Sequence, residues 1–285
     1  MILIADSGST KTSWCLLNPP GKDFHFSTQG YNPYYMDAGT IIASIMQSLP
    51  LEVFTERIRV VHFYGAGCSQ EKAFIVEKAL TSVFPNATIS VKIDLLAAAK
   101  SVLGNKAGFV GILGTGTNSC MYDGKDIEHV VDSLGFMLGD EGSGAYIGKQ
   151  LLVGYARGFL PDDLKEKFYE TYRLAPENVV DRVYNCELPN TYCANFCIFV
   201  GDNISHPFIS NLVRSAFADF FEGIVSNYAN YRDYEFNCVG SIAHSFLPQL
   251  KEVAAQYGMK IGNIVRNPLD GLINYHRKTI SFERV

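Results

Sequence analysis

The sequence of 285 residues lacks most features that mark specialised protein classes. It has no basic excess, because 24 Lys and Arg stand against 29 Asp and Glu, and a net charge of −5 argues against a nucleic-acid-binding face. No apolar run approaches the roughly 18 residues that cross a bilayer, and the first residues lack the basic leader of a signal peptide. We therefore expect a globular protein without nucleic-acid or membrane partners.

Cysteine is too scattered for a disulfide framework. The chain has seven cysteines, an odd number, spread from Cys15 to Cys238, which suits a reducing cytoplasm. Cys193 and Cys197 are four residues apart, but no second pair completes a structural zinc site. A P-loop is also excluded, because the nearest segment is one residue short and has Gln150 where Ser or Thr would meet Mg²⁺.

What is present is one pattern of strands and helices used twice. The first half predicts strands at 2–5, 13–17, 23–28, 60–64 and 88–93 and helices at 38–49, 71–84 and 95–103. The second half predicts strands at 108–113, 119–123, 128–132, 236–240 and 259–265, helices at 243–257 and 268–277, and a helical insert at about 144–231. This pattern predicts an α/β protein of two β-β-β-α-β-α domains. The first domain would span 1–103, completed by 268–285, and the second would span 104–267.

Both halves place a turn rich in Gly, Ser and Thr between their first two strands. The first reads Asp6-Ser7-Gly8-Ser9-Thr10-Lys11 and the second reads Gly114-Thr115-Gly116-Thr117-Asn118. A hairpin that needs only glycine explains either turn alone. Exposed N–H groups and hydroxyls can also cradle phosphate, with Asp6 holding a metal through water and Lys11 neutralising charge. The repetition in both halves favours phosphate binding.

A third motif follows the two turns, Gly135-Phe136-Met137-Leu138-Gly139-Asp140-Glu141-Gly142-Ser143. In this order and at these spacings, the three motifs resemble the sugar kinase, Hsp70 and actin superfamily. Within it, the chain is similar to the N-acetylglucosamine kinase branch of the BadF/BadG/BcrA/BcrD ATPase family over essentially its whole length. The resemblance implies two actin-like (ribonuclease H-like) domains that close over ATP and a sugar.

The resemblance also implies roles for individual residues in ATP binding. The first turn would bind phosphate through Gly8, Ser9, Thr10 and Lys11, with Asp6 near Mg²⁺. The second turn would bind phosphate through Gly114, Thr115, Gly116 and Thr117. Adenosine would contact Gly240, Ser241 and Ile242 at a helix start, where N–H groups favour the nucleotide. Ser241 departs from the usual Gly-Gly pattern at this place.

Phosphoryl transfer also needs a carboxylate beside the acceptor hydroxyl. Asp94 directly follows the strand 88–93, where the resemblance implies a general base for a sugar 6-hydroxyl. An N-cap of the next helix is the alternative, and one carboxylate can serve both roles. The resemblance implies sugar contacts from Asn32, Asp94, Asn118, Gly135, Asp140 and Glu141. Turn positions equally explain Asn32 and Asn118, and a predicted helix N-terminus favours the two neighbouring acids.

Together these roles predict an ATP- and Mg²⁺-dependent kinase acting on the 6-hydroxyl of an amino sugar, foremost N-acetylglucosamine, with glucosamine and N-acetylmuramic acid left open. One alternative is an iron–sulfur ATPase that activates 2-hydroxyacyl-CoA dehydratases or benzoyl-CoA reductase, although Cys186, Cys193 and Cys197 do not match its pattern. Another alternative is a sensor that binds sugar or nucleotide without transferring a phosphoryl group. The presence of Asp6 and Asp94 argues against a sensor. The helical insert could offer a homodimer surface.

Overall fold

A computed structural model of the chain describes residues 1–8, 10–18 and 22–282, with side chains through residue 278. The predicted phosphate ligand Ser9 and the last three residues of the predicted segment 268–285 lie outside the described residues. Two compact units are present. Unit 1 contains Met1–Lys106, Gly124–Asp126 and the segment from Asn267, and unit 2 contains Ala107–Asp123 and Ile127–Arg266.

Unit 1 is built on a mixed sheet with the strand order β3-β2-β1-β4-β5. Its strands are β1 (Ile2–Ser7), β2 (Lys11–Leu17), β3 (Phe24–Gln29), β4 (Val60–Gly65) and β5 (Thr88–Ile93). The first three strands pair antiparallel, whereas β4 and β5 run parallel to β1. The first helices of the chain are α1 (Ala38–Ser48), α2 (Ala73–Val83) and α3 (Asp94–Leu103). The carboxyl ends of three parallel strands therefore meet at one edge.

Unit 2 repeats this arrangement, with the strand order β10-β9-β6-β7-β8. Its strands are β6 (Gly108–Leu113), β7 (Thr117–Tyr122), β8 (Ile127–His129), β9 (Phe236–Val239) and β10 (Ile261–Val265). The helices between β8 and β9 are α4 (Gly135–Leu138), α5 (Gly144–Ala156), α6 (Asp162–Tyr172), α7 (Val179–Tyr184), α8 (Pro189–Asn195), α9 (Cys197–Asp202) and α10 (Pro207–Gly223). The helices α11 (Ser241–Ser245) and α12 (Leu247–Gln256) lie between β9 and β10. Short 3₁₀ helices lie at Thr55–Arg57, Pro176–Asn178, Val225–Asn227 and Tyr231–Asp233.

The chain then returns to unit 1 as α13 (Leu269–Phe282). This helix is part of the unit 1 core, because the buried ring of His276 stacks on His62 of β4 with the ring centroids 3.9 Å apart. The Nε2 atom of His276 also lies 3.0 Å from the Tyr64 hydroxyl. A Cβ added at Gly271 would overlap the carbonyl oxygen of Ser101, so the missing side chain lets α13 lie directly against α3.

Each unit has its own apolar core. In unit 1, a continuous apolar run gives β1 side chains that are buried on both faces of the sheet, as is typical of central parallel strands. Trp14, Phe63 and Phe84 are among the largest members of this core. In unit 2, the helical insert packs on the sheet through aromatic residues such as Phe217 and Phe220. None of the described helices is both long enough and apolar enough to cross a membrane.

The predicted α/β class with two β-β-β-α-β-α units and a helical insert is confirmed, but two elements differ. The predicted helix 243–257 is two helices, because Pro248 stands in the first turn of α12 and has no N–H to continue α11. The predicted strand 128–132 ends at His129, and Val131 instead donates its N–H to the Tyr228 hydroxyl at 2.8 Å.

Candidate functional site

The two carboxylates singled out in unit 1 lie at the same edge of its sheet. Asp6 is the penultimate residue of β1, and Asp94 directly follows β5. In the parallel register, Ser7 of β1 pairs with Gly65 of β4, and Gly65 pairs with Ile93 of β5. Two strand spacings separate β1 from β5, a distance of about 10 Å. The fold thus brings both acids to the carboxyl end of the parallel strands.

Both carboxylates have raised pKa values. Burial raises the pKa of Asp6 to about 7, and the charge of Asp94 adds to this effect. Burial also raises the pKa of Asp94 to about 6, although the N–H of Leu95, 2.8 Å from its Oδ1, favours the ionised form. The N-cap of α3 is Ile93, so Asp94 is the first helical residue rather than the cap. Carboxylates perturbed in this way are typical of catalytic and metal sites.

The first turn closes as a hairpin between β1 and β2. The N–H of Gly8 donates to the Lys11 carbonyl at 2.9 Å, while the Thr10 and Lys11 side chains are exposed. Behind the turn, the buried hydroxyls of Ser7 and Thr12 are 2.7 Å apart. Two buried, hydrogen-bonded hydroxyls thus lie beneath a turn that exposes the polar side chains of Thr10 and Lys11.

Asn32 lies against the loop that follows β4. The Asn32 Oδ1 accepts the N–H of Tyr34 at 3.0 Å, so the local turn predicted as one alternative is present. A Cβ added at Gly67, which has φ +74°, would overlap that same Oδ1. The neighbouring Ala66 donates its N–H to the Ser7 carbonyl at 2.9 Å. Gly65 at the end of β4 and Gly67 two residues later were the available sequence signal for this close approach.

In unit 2, the second turn is bound to the start of α5. The N–H of Gly144 donates to the Gly114 carbonyl at 2.8 Å, and the N–H of Ala145 donates to the Thr115 carbonyl at 3.0 Å. Ser143 caps the helix, since its Oγ accepts the N–H of Tyr146 at 3.0 Å. The conformation of the second turn therefore depends on the first residues of α5.

Asp140 fixes the second turn from the side. Its Oδ1 accepts the N–H of Thr117 at 3.1 Å, and a Cβ added at Gly116 would lie only 3.1 Å from its Oδ2. The Thr117 hydroxyl donates to the Glu141 carbonyl at 2.7 Å. Asp140 is buried, and burial raises its pKa.

The predicted helix N-terminus lies after Asp140 and Glu141 rather than at these two residues. The helix begins at Gly144, because Ser143 is the better cap, and Asp140 has a left-handed φ of 58° in the preceding turn. Elsewhere in unit 2, Gly135 begins α4 with φ 66°, and the Asn118 Oδ1 accepts the N–H of Ser119 at 2.9 Å.

The predicted adenosine turn lies beside the second turn. Gly240 precedes α11 with φ +138°, and a Cβ added there would overlap the carbonyl oxygen of Leu113. A Cβ added at Gly144 would lie 3.2 Å from the Ile242 Cδ1, while Ser241 is exposed. Unit 2 thus brings together the second turn, the segment before α5 and the turn before α11.

Gly240→Ala is expected to destabilise the protein by about 2–4 kcal/mol, because it adds both a clash and a disfavoured φ. Thermal unfolding measured without ligand should show a lower Tm. Gly201→Ala, in α9 with no atom near the added Cβ, is the matched control and should leave the Tm unchanged or slightly higher. Equal Tm values for Gly240→Ala and the wild type would contradict this close contact.

The chain is similar to several solved structures. One is a proposed N-acetylglucosamine kinase from Porphyromonas gingivalis, with 37% sequence identity, a TM-score of 0.93, and coverage of 98% of this chain and 99% of that chain. Another is a proposed N-acetylglucosamine kinase from Chromobacterium violaceum, with 16% identity, a TM-score of 0.69, and coverage of 96% and 98%. A ROK family glucokinase from Streptomyces griseus, solved with glucose and AMPPNP, has 12% identity, a TM-score of 0.54, and coverage of 96% and 97%.

The last two similarities, at 16% and 12% identity, show a shared fold alone. No family model and no curated protein matches the chain. The Porphyromonas protein is different, because 37% identity extends over nearly the whole of both chains. The chain therefore belongs to the N-acetylglucosamine kinase-like family, a group of ATP-dependent phosphotransferases.

Proposed function

We propose that this sugar kinase phosphorylates the 6-hydroxyl of an amino sugar, with N-acetylglucosamine as its preferred acceptor. The observation that carries the proposal is the pair of partly buried carboxylates, Asp6 and Asp94, at one edge of the unit 1 sheet. The 37% identity to a proposed N-acetylglucosamine kinase supports the choice of sugar.

Asp94 is the general base in this proposal. Its carboxylate accepts the proton of the 6-hydroxyl while that oxygen forms a bond to the γ-phosphorus of ATP. The bond from this phosphorus to the β–γ bridging oxygen breaks, and ADP leaves. A pKa of about 6 leaves Asp94 largely ionised at neutral pH, yet still basic enough to accept a proton in the transition state.

Asp6 suits a Mg²⁺ site. Carboxylate oxygens are ligands that Mg²⁺ prefers, often through water. Burial and the nearby charge of Asp94 disfavour the ionised form of Asp6, and a divalent cation would relieve both effects. When bound, Mg²⁺ neutralises charge on the phosphates of ATP. Phosphate ligands in unit 1 would be Gly8, Ser9, Thr10 and Lys11.

Unit 2 supplies further phosphate and sugar ligands in this proposal. The turn Gly114–Thr117 would bind phosphate, and Gly240, Ser241 and Ile242 would contact adenosine. Asn118, Gly135, Asp140 and Glu141 would contact sugar hydroxyls, together with Asn32 and Asp94 of unit 1. The buried carboxylate of Asp140 supports its role, because its oxygens can accept several hydrogen bonds and Thr117 holds it in place.

The cysteines of the insert disfavour the iron–sulfur activator. Such activators hold their cluster through cysteines of two subunits, and cysteine binds iron as the thiolate. Burial instead raises the pKa of Cys193 to about 11 and that of Cys197 to about 12, and the Cys197 thiol donates to the Gly144 carbonyl at 3.3 Å. Cys186 donates to the Val183 carbonyl at 3.1 Å. These thiols take part in packing within unit 2.

ADP release with Mg-ATP, measured against a panel of sugars, tests the proposal. The panel contains N-acetylglucosamine, glucosamine, N-acetylmuramic acid, N-acetylmannosamine and glucose. We expect sugar-dependent turnover with the highest kcat/KM for N-acetylglucosamine. Turnover that no sugar stimulates would exclude the kinase. Binding of ATP and sugar without turnover would support a sensor, and iron after anaerobic purification would support the activator.

The proposed role of Asp94 as the general base predicts how the activity depends on pH. Because a protonated Asp94 cannot accept a proton, kcat/KM should fall about tenfold per pH unit below about pH 6 and level off above pH 7. The measurement is kcat/KM for the sugar from pH 5 to 8 at saturating Mg-ATP and constant ionic strength. A flat profile between pH 5 and 7 would exclude Asp94 as the base.

A further inference from the structure

Unit 1 contains a polar cavity of about 480 Å³, away from the carboxylate edge. It lies between the last turn of α3 and one face of α13. Its polar lining side chains include Lys100, Asn105, Lys106, Asn274, Tyr275 and Lys278. Asp94 begins α3, whereas the cavity lies beyond residue 100, so the helix separates them by about 10 Å or more.

The charge of this cavity is opposite to that of the chain. Three lysines and no carboxylate are among the described residues that line it, although the net charge of the protein is −5. Within the part of the chain that the structure describes, the ammonium groups of Lys106 and Lys278 have no hydrogen bond or ion pair. Like charges that converge on one cavity repel each other unless an anion lies between them.

Lys100 is the most enclosed of the three lysines. Its Nζ lies 4.9 Å from the centre of the Tyr275 ring and 6.0 Å from that of Tyr64. Burial lowers its pKa, and the charge of Asp126 opposes this effect. An anion in the cavity would favour the charged form of Lys100 in the same way as Asp126 does.

Helix capping alone does not explain this arrangement. Lysines near the end of α3 complement its dipole, which accounts for Lys100 and Lys106. Lys278 and Asn274 belong to a different helix, where their spacing places them on the face that also contains Gly271. Gly271 lets this face of α13 lie against the Ser101 backbone. The contact brings the Lys278 ammonium group and the Asn274 carboxamide to the end of α3.

We propose that this cavity binds a small anion that carries phosphoryl groups, such as a phosphorylated metabolite. Lysine ammonium groups bind phosphate as point charges, and the Asn105 and Asn274 carboxamides can donate further hydrogen bonds. The volume is in the range of small-molecule sites. The cavity is separate from the proposed base, since Asp94 lies at the opposite end of α3.

Calorimetric titration of the full chain with pyrophosphate tests this site. A non-hydrolysable ATP analogue at saturating concentration keeps the proposed nucleotide site filled, and ionic strength is held constant. We expect one saturable binding event. Lys106→Met combined with Lys278→Met should weaken it at least tenfold, because methionine keeps an unbranched stem but removes the charge.

Lys165→Met combined with Lys251→Met is the matched control, since it removes the same charge from exposed positions in unit 2. The control should bind pyrophosphate as the wild type does. Absence of saturable binding, equal weakening by both pairs, or tighter binding of citrate than of pyrophosphate would overturn the proposal. Thermal unfolding verifies that both variants fold. A chain without sugar-dependent turnover could still bind pyrophosphate here, so this test is independent of the kinase assay.

Discussion

Asp94→Asn is expected to lower the kcat of sugar-dependent ADP release by about 10²- to 10⁴-fold, the usual contribution of a general base. Sugar binding should remain, because asparagine keeps the size and the hydrogen-bonding capacity of the side chain. Steady-state kinetics gives kcat, and calorimetric titration with N-acetylglucosamine gives the sugar Kd. The control is Asp233→Asn, an exposed acid in unit 2 that should leave both values unchanged.

The same variant separates catalysis from structure. The Asp94 Oδ1 accepts the N–H of Leu95 at 2.8 Å, and an asparagine oxygen can accept it equally well. A structural role alone thus predicts normal turnover, whereas loss of kcat with a normal Tm and Kd identifies the base. Full activity of Asp94→Asn would refute the assignment.

Asp6→Asn is expected to abolish turnover and, without ligands, to stabilise the protein at high pH. The pKa of Asp6 is about 7 in the folded protein but near 3.8 in the unfolded chain. The folded form therefore holds a proton that the unfolded chain releases, and stability falls as the pH rises from about 4 to 7. Above pH 7 the buried ionised carboxylate costs about 2–4 kcal/mol, a cost that asparagine lacks.

Urea unfolding at pH 4 and pH 8 measures this effect. We expect the free energy of unfolding of Asp6→Asn to exceed that of the wild type by about 2–4 kcal/mol at pH 8 and to differ little at pH 4, near the pKa of the carboxyl in the unfolded chain. Asp233→Asn is again the control and should show no such pH-dependent difference. A variant less stable than the wild type at pH 8 would indicate that Asp6 stabilises the fold rather than being retained for ligand binding.

The succession of strands and helices along the chain and the Gly-rich turns could be predicted because they leave local signals. Apolar runs of four to six residues followed by polar turns mark each strand, and the repetition in both halves shows the duplicated topology. The break between α11 and α12 also has a signal in the sequence, because Pro248 cannot donate an N–H. The prediction missed this break because the apolar residues on both sides of Pro248 have the spacing of one continuous helix.

The contacts that shape the candidate site could not be predicted in the same way. The bond from Thr117 to Asp140 spans 23 residues, and the packing of Gly240 on Leu113 joins strands far apart in the chain. Rules for alternation and helix capping use only residues that are close in the sequence. They placed the helix start at Asp140, whereas the N-cap is Ser143. The lysine cavity left no sequence signal either, because Lys278 is distant from Lys100 and Lys106.

The return of α13 to unit 1 has a consequence for biosynthesis. Unit 2 is nearly continuous in the chain, whereas unit 1 needs His276 and its neighbours, which leave the ribosome after all of unit 2. Until then, the ring that stacks on His62 is missing. Unit 2 can therefore complete its core while unit 1 still waits for its last helix, and nascent chains stalled before α13 should expose this face of unit 1 to chaperones.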